Sequence, residues 1–206
     1  KEAFSQILDS VNFDEILSGY NSINYSVLLE YIKKIINYDK NFLPIKLKGF
    51  EKKFNTVYTL KSGNKVSLSG KIDRLDESNG ITRIIDYKTG KSDYEFKGLK
   101  SLFSGKKRNK AVFQMFFYSF ILNSLAPQSK VQAMLYFTRQ TEDNQNFNIY
   151  NSDTKQTIND YSSVKDDFEV ELRNTIEEIF DKDKFFGKTD NANSCVYCAF
   201  KNICHR

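Results

Sequence analysis

The sequence predicts an α/β fold, a mixed central sheet flanked by helices, on three observations. Asn79-Gly80 lies between two runs of alternating apolar residues, the strongest short-range hairpin signal, because both turn positions must take positive φ. Before it, Phe54, Thr56, Tyr58 and Leu60 alternate, turn at Ser62-Gly63-Asn64, and resume as Val66, Leu68, Gly70 and Ile72. After it, a strongly helical run over 109–125, closed by Ala126-Pro127, separates the hairpin from another apolar strand over 131–139. A strand meander, a helical crossover and a further strand make a mixed sheet with helices against it.

The remaining elements follow in chain order. Tyr25, Leu28, Leu29, Ile32 and Ile36 have helical spacing and predict an amphipathic helix ahead of the meander. The hairpin leads into a basic loop over 91–108, loosened by Gly98 and Gly105, and the polar stretch 141–160 reads as loop with room for a short strand. Val164, Phe168, Leu172, Ile176 and Ile179 mark a long helix. With 206 residues, 40% hydrophobic content and two prolines, the chain reads as one globular domain over 1–206. No apolar run approaches the roughly 20 residues that span a bilayer, and the start has no signal-peptide core, so the expected location is cytoplasmic with no membrane partner. The chain opens on Lys1 without an initiating methionine, as an excised piece of a longer protein would.

The hairpin carries the chemistry. A two-residue Asn79-Gly80 loop sets Asp73 directly opposite Asp86, with Lys88 on the same face because side chains alternate along a strand. Two carboxylates about 5 Å apart across a ladder repel each other. A divalent cation relieves that repulsion, and magnesium characteristically takes one or two carboxylates with water and phosphate oxygens. A solvated hairpin with decorative acids would leave the opposed pair unexplained. The same register places Leu75 opposite Ile84 and, on the other face, Asp76 opposite Arg83. It also sets Lys71 against Lys88, an awkward pairing at which the strands are expected to splay or bulge.

Charge is unevenly spread. The net charge is +5, but no acid occurs from Phe96 to Thr141, a block holding Lys97, Lys100, Lys106, Lys107, Arg108, Lys110, Lys130 and Arg139. Outside the block the chain is net negative. Beside a candidate magnesium site, such a basic segment points to a phosphate backbone and so to a nucleic acid.

The strings Gly70-Lys71-Ile72-Asp73-Arg74 and Asp86-Tyr87-Lys88-Thr89-Gly90-Lys91, followed by Gln114 and Tyr118, resemble the RecB/AddB-type, Cas4-like exonuclease domain of the PD-(D/E)XK superfamily. Each motif alone is weak, and all of them in order are specific. The resemblance implies a restriction-endonuclease-like αβββαβ core. It also implies a nuclease cleaving DNA phosphodiesters with Mg2+ or Mn2+, at the exonuclease end of a helicase–nuclease in double-strand break repair and recombination. Asp73 and Asp86 would be metal ligands, the Tyr87 carbonyl a third, and Lys88 the group that orients or deprotonates the attacking water. Gln114 and Tyr118, one helical turn apart, would contact the scissile region or the DNA backbone. Glu51, before the hairpin, stands where relatives often carry an acid, and Glu30 is a weaker candidate again. Relatives also carry a histidine in a G-x-x-H helix near the domain start, whereas the only histidine here is His205.

All three cysteines fall in 195–204, as Cys195, Cys198 and Cys204. Their C-x2-C-x5-C spacing suits a metal or cluster better than disulfides in a cytoplasmic protein. It resembles the C-terminal triad of AddB- and Cas4-like nucleases, which implies a [4Fe–4S] cluster in the full-length protein with its fourth ligand outside this chain. Zinc completed by His205, or idle thiols, stay open. Gly90-Lys91-Ser92 mimics the end of a phosphate-binding loop, but Ile85 occupies the required first glycine, which excludes nucleotide hydrolysis here. Three readings remain: the helicase-linked nuclease, a stand-alone Cas4-like nuclease, and a non-catalytic DNA-binding scaffold.

Overall fold

A computed structural model describes residues 20–90, 93–105, 108–138, 146–185, 187–189 and 192–205. Helix α1 (Tyr20–Asp39) leads through a 3-10 turn into the strands β1 (Ile45–Thr59), β2 (Lys65–Ser78) and β3 (Ile81–Lys88). A two-residue strand β4 (Glu95–Phe96) and a short helix α2 (Lys100–Phe103) precede α3 (Lys110–Leu125) and β5 (Lys130–Phe137). Strands β6 (Ile149–Asn151) and β7 (Gln156–Ile158) and helix α4 (Lys165–Ile179) complete the described core. The main sheet has the order β1-β2-β3-β5, with β3 and β5 parallel and the other pairs antiparallel. The mixed sheet of the sequence reading is therefore present, with α3 as the crossover between its parallel strands.

The hairpin forms as its turn chemistry dictates. Asn79 and Gly80 have φ of 51° and 75°, and Leu75 pairs with Ile84 and Asp76 with Arg83. Helix α3 starts where a polar side chain can satisfy its free amides: Asn109 Oδ1 accepts from the N–H groups of Ala111 and Val112, each at 3.1 Å. The Asn109 amide meanwhile donates to the carbonyls of Asp93 and Glu95, fastening the helix start to the preceding loop.

The core lies between the sheet and the helices α3 and α4. Ile84, Ile85, Met134 and Leu135 of the parallel strands and Val112, Met115 and Phe116 of α3 are fully buried. Phe168 of α4 closes the far side of α3, its ring 5.7 Å from Phe116 and 5.8 Å from Phe113. At the other end of the sheet, Tyr38 of α1 meets Tyr136 and Phe147 edge-on.

Two parts of the sequence reading need correction. The segment read as a basic loop contains β4 and α2, and the polar stretch contains β6 and β7. With β4 these form a second sheet in the order β4-β6-β7. Strands of two or three residues are too short to show a period, which is why alternation missed them. The basic block is also no single patch. Lys130 pairs in register with Ile81, at the end of β3 remote from Asp86 and Lys88, while Lys106, Lys107 and Arg139 lie outside the described residues.

Candidate active site

The β2–β3 ladder stops at Arg74 and Ile85, one step short of the Asp73–Asp86 position. Beyond it the strands part, before the level at which Lys71 would face Lys88. The Asp73 carboxylate takes over the vacated hydrogen bond: its Oδ2 accepts from the Tyr87 N–H at 3.0 Å. Asp86 is buried, and its Oδ2 lies 2.7 Å from Lys88 Nζ. That ion pair is the partner of the buried oxygen, although its angles fall short of a well-aligned hydrogen bond. Burial pushes the Asp86 carboxyl above its ordinary value; Lys88 pulls it back, and the charge of Asp73 raises it further. The two acids therefore feel each other across the open end of the hairpin.

Lys88 continues into a chain of polar contacts on α3. Its ammonium donates to Gln114 Oε1 at 3.0 Å, and Gln114 Nε2 donates to the Tyr118 hydroxyl at 2.7 Å. A lysine can only donate, so the carbonyl end of the amide must face it and the NH2 end must face the tyrosine. Gln114 and Tyr118, one helical turn apart, thus hold Lys88. Gly70 seats the tyrosine in turn. A Cβ on that residue would stand 2.5 and 2.7 Å from Cε1 and Cδ1 of Tyr118, so only glycine admits the ring.

The reverse of the same strands is clamped by buried charge. Arg83 makes a two-pronged pair with Asp76, at 2.6 and 2.9 Å, where both side chains are shut off from solvent. Arg74 reaches Asp76 and Asp39, each at 2.6 Å, and also donates to the Tyr87 hydroxyl at 3.3 Å. Asp39, at the end of α1, accepts from the Tyr136 hydroxyl at 2.9 Å as well. Burial draws the Arg74 guanidinium down, but the hydrogen bonds to Asp39 and Tyr87 more than offset this and hold it above its ordinary value. Two carboxylates and two guanidiniums balance, which is the condition for burying them at all. Asp39 is the residue that sequence reasoning missed. Alternation gives the Asp76–Arg83 pair, but nothing local announces a partner for Arg74 35 residues upstream.

A front of two acids and a lysine, steadied by a Gln-x-x-x-Tyr helix, is matched by the sequence comparison. The model of the PD-(D/E)XK nuclease superfamily matches residues 1–205. The chain belongs to that superfamily. Membership makes it a nuclease-type hydrolase with DNA as substrate, in a family that typically uses divalent metals such as Mg2+. No curated protein sequence matches the chain. Among solved structures it is similar to the crystal structure of SSO0001, at 16% identity and a TM-score of 0.39, covering 92% of this chain and 78% of that one.

The other expected residues of this PD-(D/E)XK chain lie as follows. Glu51 sits within β1 with φ of 50°, left out of the pairing between Phe50–Arg74 and Lys52–Ile72, and its carboxylate pairs with Lys71. Tyr87 sends its side chain to the reverse network, while its backbone stays beside Asp73. Glu30 pairs with Lys33 on the exposed side of α1, which holds its carboxyl below the ordinary value. Cys195, Cys198 and Cys204 are free and half-buried. Among the described residues no three His, Cys, Asp or Glu side chains gather closely enough to hold a metal, which applies to the three thiols and equally to Glu51, Asp73 and Asp86 as a set. None of the helices among these residues is long and apolar enough to cross a membrane.

Proposed function

We propose that the chain is a Mg2+- or Mn2+-dependent deoxyribonuclease. In this reading Asp73 and Asp86 hold the cation, with the Tyr87 carbonyl as a third donor and Glu51 as an accessory acid. Lys88 acts on the scissile phosphate. The observation that carries it is the buried Asp86 carboxyl, which desolvation and the charge of Asp73 both raise and which the Lys88 ammonium, 2.7 Å away, offsets. A cation here would relieve the repulsion that remains between the two acids. Hard oxygen donors in this number suit magnesium, which fills its remaining positions with water and phosphate oxygens. When bound, the cation supplies Lewis acidity and a template for the attacking water.

The protein's own groups do the rest. Asp86 pairs with the Lys88 ammonium on one side and Gln114 accepts from it on the other, which leaves N–H donors for a phosphate oxygen or the incoming water. An ammonium held there offsets the negative charge that grows on the phosphate as the new P–O bond forms. Gln114 and Tyr118 act through the lysine, a positioning task in place of the direct DNA contact expected from the motif alone.

The finer reading is an exonuclease domain of a RecB/AddB-type helicase–nuclease, working in the cytoplasm on broken DNA ends. It rests on the order of the motifs and their resemblance. No step in it runs through an iron–sulfur cluster. Asp86→Ala is expected to abolish metal-dependent digestion of linear duplex while sparing DNA binding in EDTA. Retained Mg2+-dependent cleavage by that variant overturns the assignment. An exonuclease will also leave covalently closed circles intact under conditions that consume the linear form.

A further inference from the structure

We propose that Lys71 is a substrate-binding residue of this nuclease site, an ammonium for the DNA backbone that Glu51 holds until DNA arrives. The inference rests on the nuclease reading and extends it to a residue outside the catalytic set. Lys71 stands two residues before Asp73 on the same strand, hence on the same face and about 7 Å along it. The hairpin has already opened at this level, so no paired strand covers the ground between Lys71 and Lys88. Both Lys71 and Glu51 are more than half exposed, and their ion pair is therefore an exchangeable surface contact.

The surroundings supply a second lysine beside the first. Lys53 stands directly across the β1–β2 ladder from Lys71, so two lysines share this corner with the carboxylates of Glu51 and Asp73. Glu51 is itself held at φ 50°, a left-handed conformation uncommon for a residue other than glycine. Such conformations persist where the surroundings enforce them and cluster at ligand sites. The strand thus delivers an acid out of the ladder to hold a lysine beside the candidate catalytic face. A DNA backbone, with a negative charge on every nucleotide, replaces that one carboxylate by mass action.

A double-mutant cycle on DNA affinity tests this, using a fluorescent duplex oligonucleotide in EDTA across a series of KCl concentrations, where no turnover occurs. Lys71→Met is expected to weaken binding alike for different sequences and to reduce the slope of log affinity against log salt by about one. Glu51→Gln is expected to tighten binding, and that gain is expected to vanish when residue 71 is already methionine. An unchanged salt slope in Lys71→Met overturns the proposal. So does a Glu51→Gln gain that is the same in both backgrounds, since that describes plain charge repulsion without an exchange of partners. Both side chains are half exposed, so folding is retained, and far-UV circular dichroism checks it. The measurement reads binding alone, so its failure is separate from failure of the Asp86→Ala cleavage test.

Discussion

Gly70→Ala is a substitution whose sign the structure sets through one neighbour. The added methyl would stand 2.5 Å from Tyr118 Cε1 and 2.7 Å from Cδ1, against an ordinary carbon contact of about 3.5–4 Å. The ring must move by about 1 Å within a packed environment, and overpacking of this kind costs about 1–3 kcal/mol. Against that, alanine narrows the unfolded ensemble, which returns about 0.4–1 kcal/mol wherever the native backbone accepts it. Gly70 is not among the positive-φ glycines, so it does. The expected net loss is about 0.5–2 kcal/mol, read as a lower urea midpoint or a Tm lowered by about 2–4 °C per kcal/mol. In a Tyr118→Ala background the obstacle is gone, and the same Gly70→Ala change should become neutral or stabilising. Moving the ring also strains the 2.7 Å bond from Gln114 that backs Lys88, so single-variant cleavage should fall further than its stability explains. An equal loss of stability in both backgrounds refutes the claim that Tyr118 is what the glycine accommodates.

Other outcomes follow from the buried charges. Arg83→Met strips the two-pronged partner from a fully buried Asp76 and should cost about 3–5 kcal/mol in urea unfolding, because a buried carboxylate then keeps only Arg74. Asp86 titrates above its ordinary value of 3.8, so its carboxyl holds a proton more tightly folded than unfolded. Stability is therefore lost as pH rises from 3.8 through the raised value of the folded carboxyl. In EDTA at pH 7, Asp86→Asn should be more stable than the parent, with the difference closing as pH falls below 3.8. Magnesium reverses the order: at a hundredfold its Kd it adds about 2.7 kcal/mol to the parent and much less to Asp86→Asn, measured by thermal melts with and without the ion.

The parts of the fold that sequence made legible are those governed by short-range rules. Asn79-Gly80 permits one tight turn, and that turn fixes which residues of β2 and β3 face each other, including Asp76 with Arg83. The clash of Lys71 with Lys88 anticipated the early end of the ladder. Asn109 marked the start of α3 because its side chain is the right length to satisfy the first free amides. What stayed hidden depends on distant partners or on very short elements. Asp39 comes to Arg74 only because α1 docks on the reverse of the sheet. The left-handed turn of backbone at Glu51 has no glycine or asparagine to signal it. Gln114 showed the same limit in reverse. Its need for a partner was evident from its apolar surroundings, but that the partner would be Lys88 required the crossover helix to be in place.

The clamp behind β3 gives the two sides of one strand separate fates. Tyr87 anchors backward while its neighbours Asp86 and Lys88 face the proposed site, so the anchoring and the proposed chemistry share a backbone and no side chains. Under the proposed assignment, neutralising the forward pair would disarm the site and leave its mounting in place. A catalytically dead but properly shaped DNA binder is thus one substitution away, a ready trap for capturing the natural substrate.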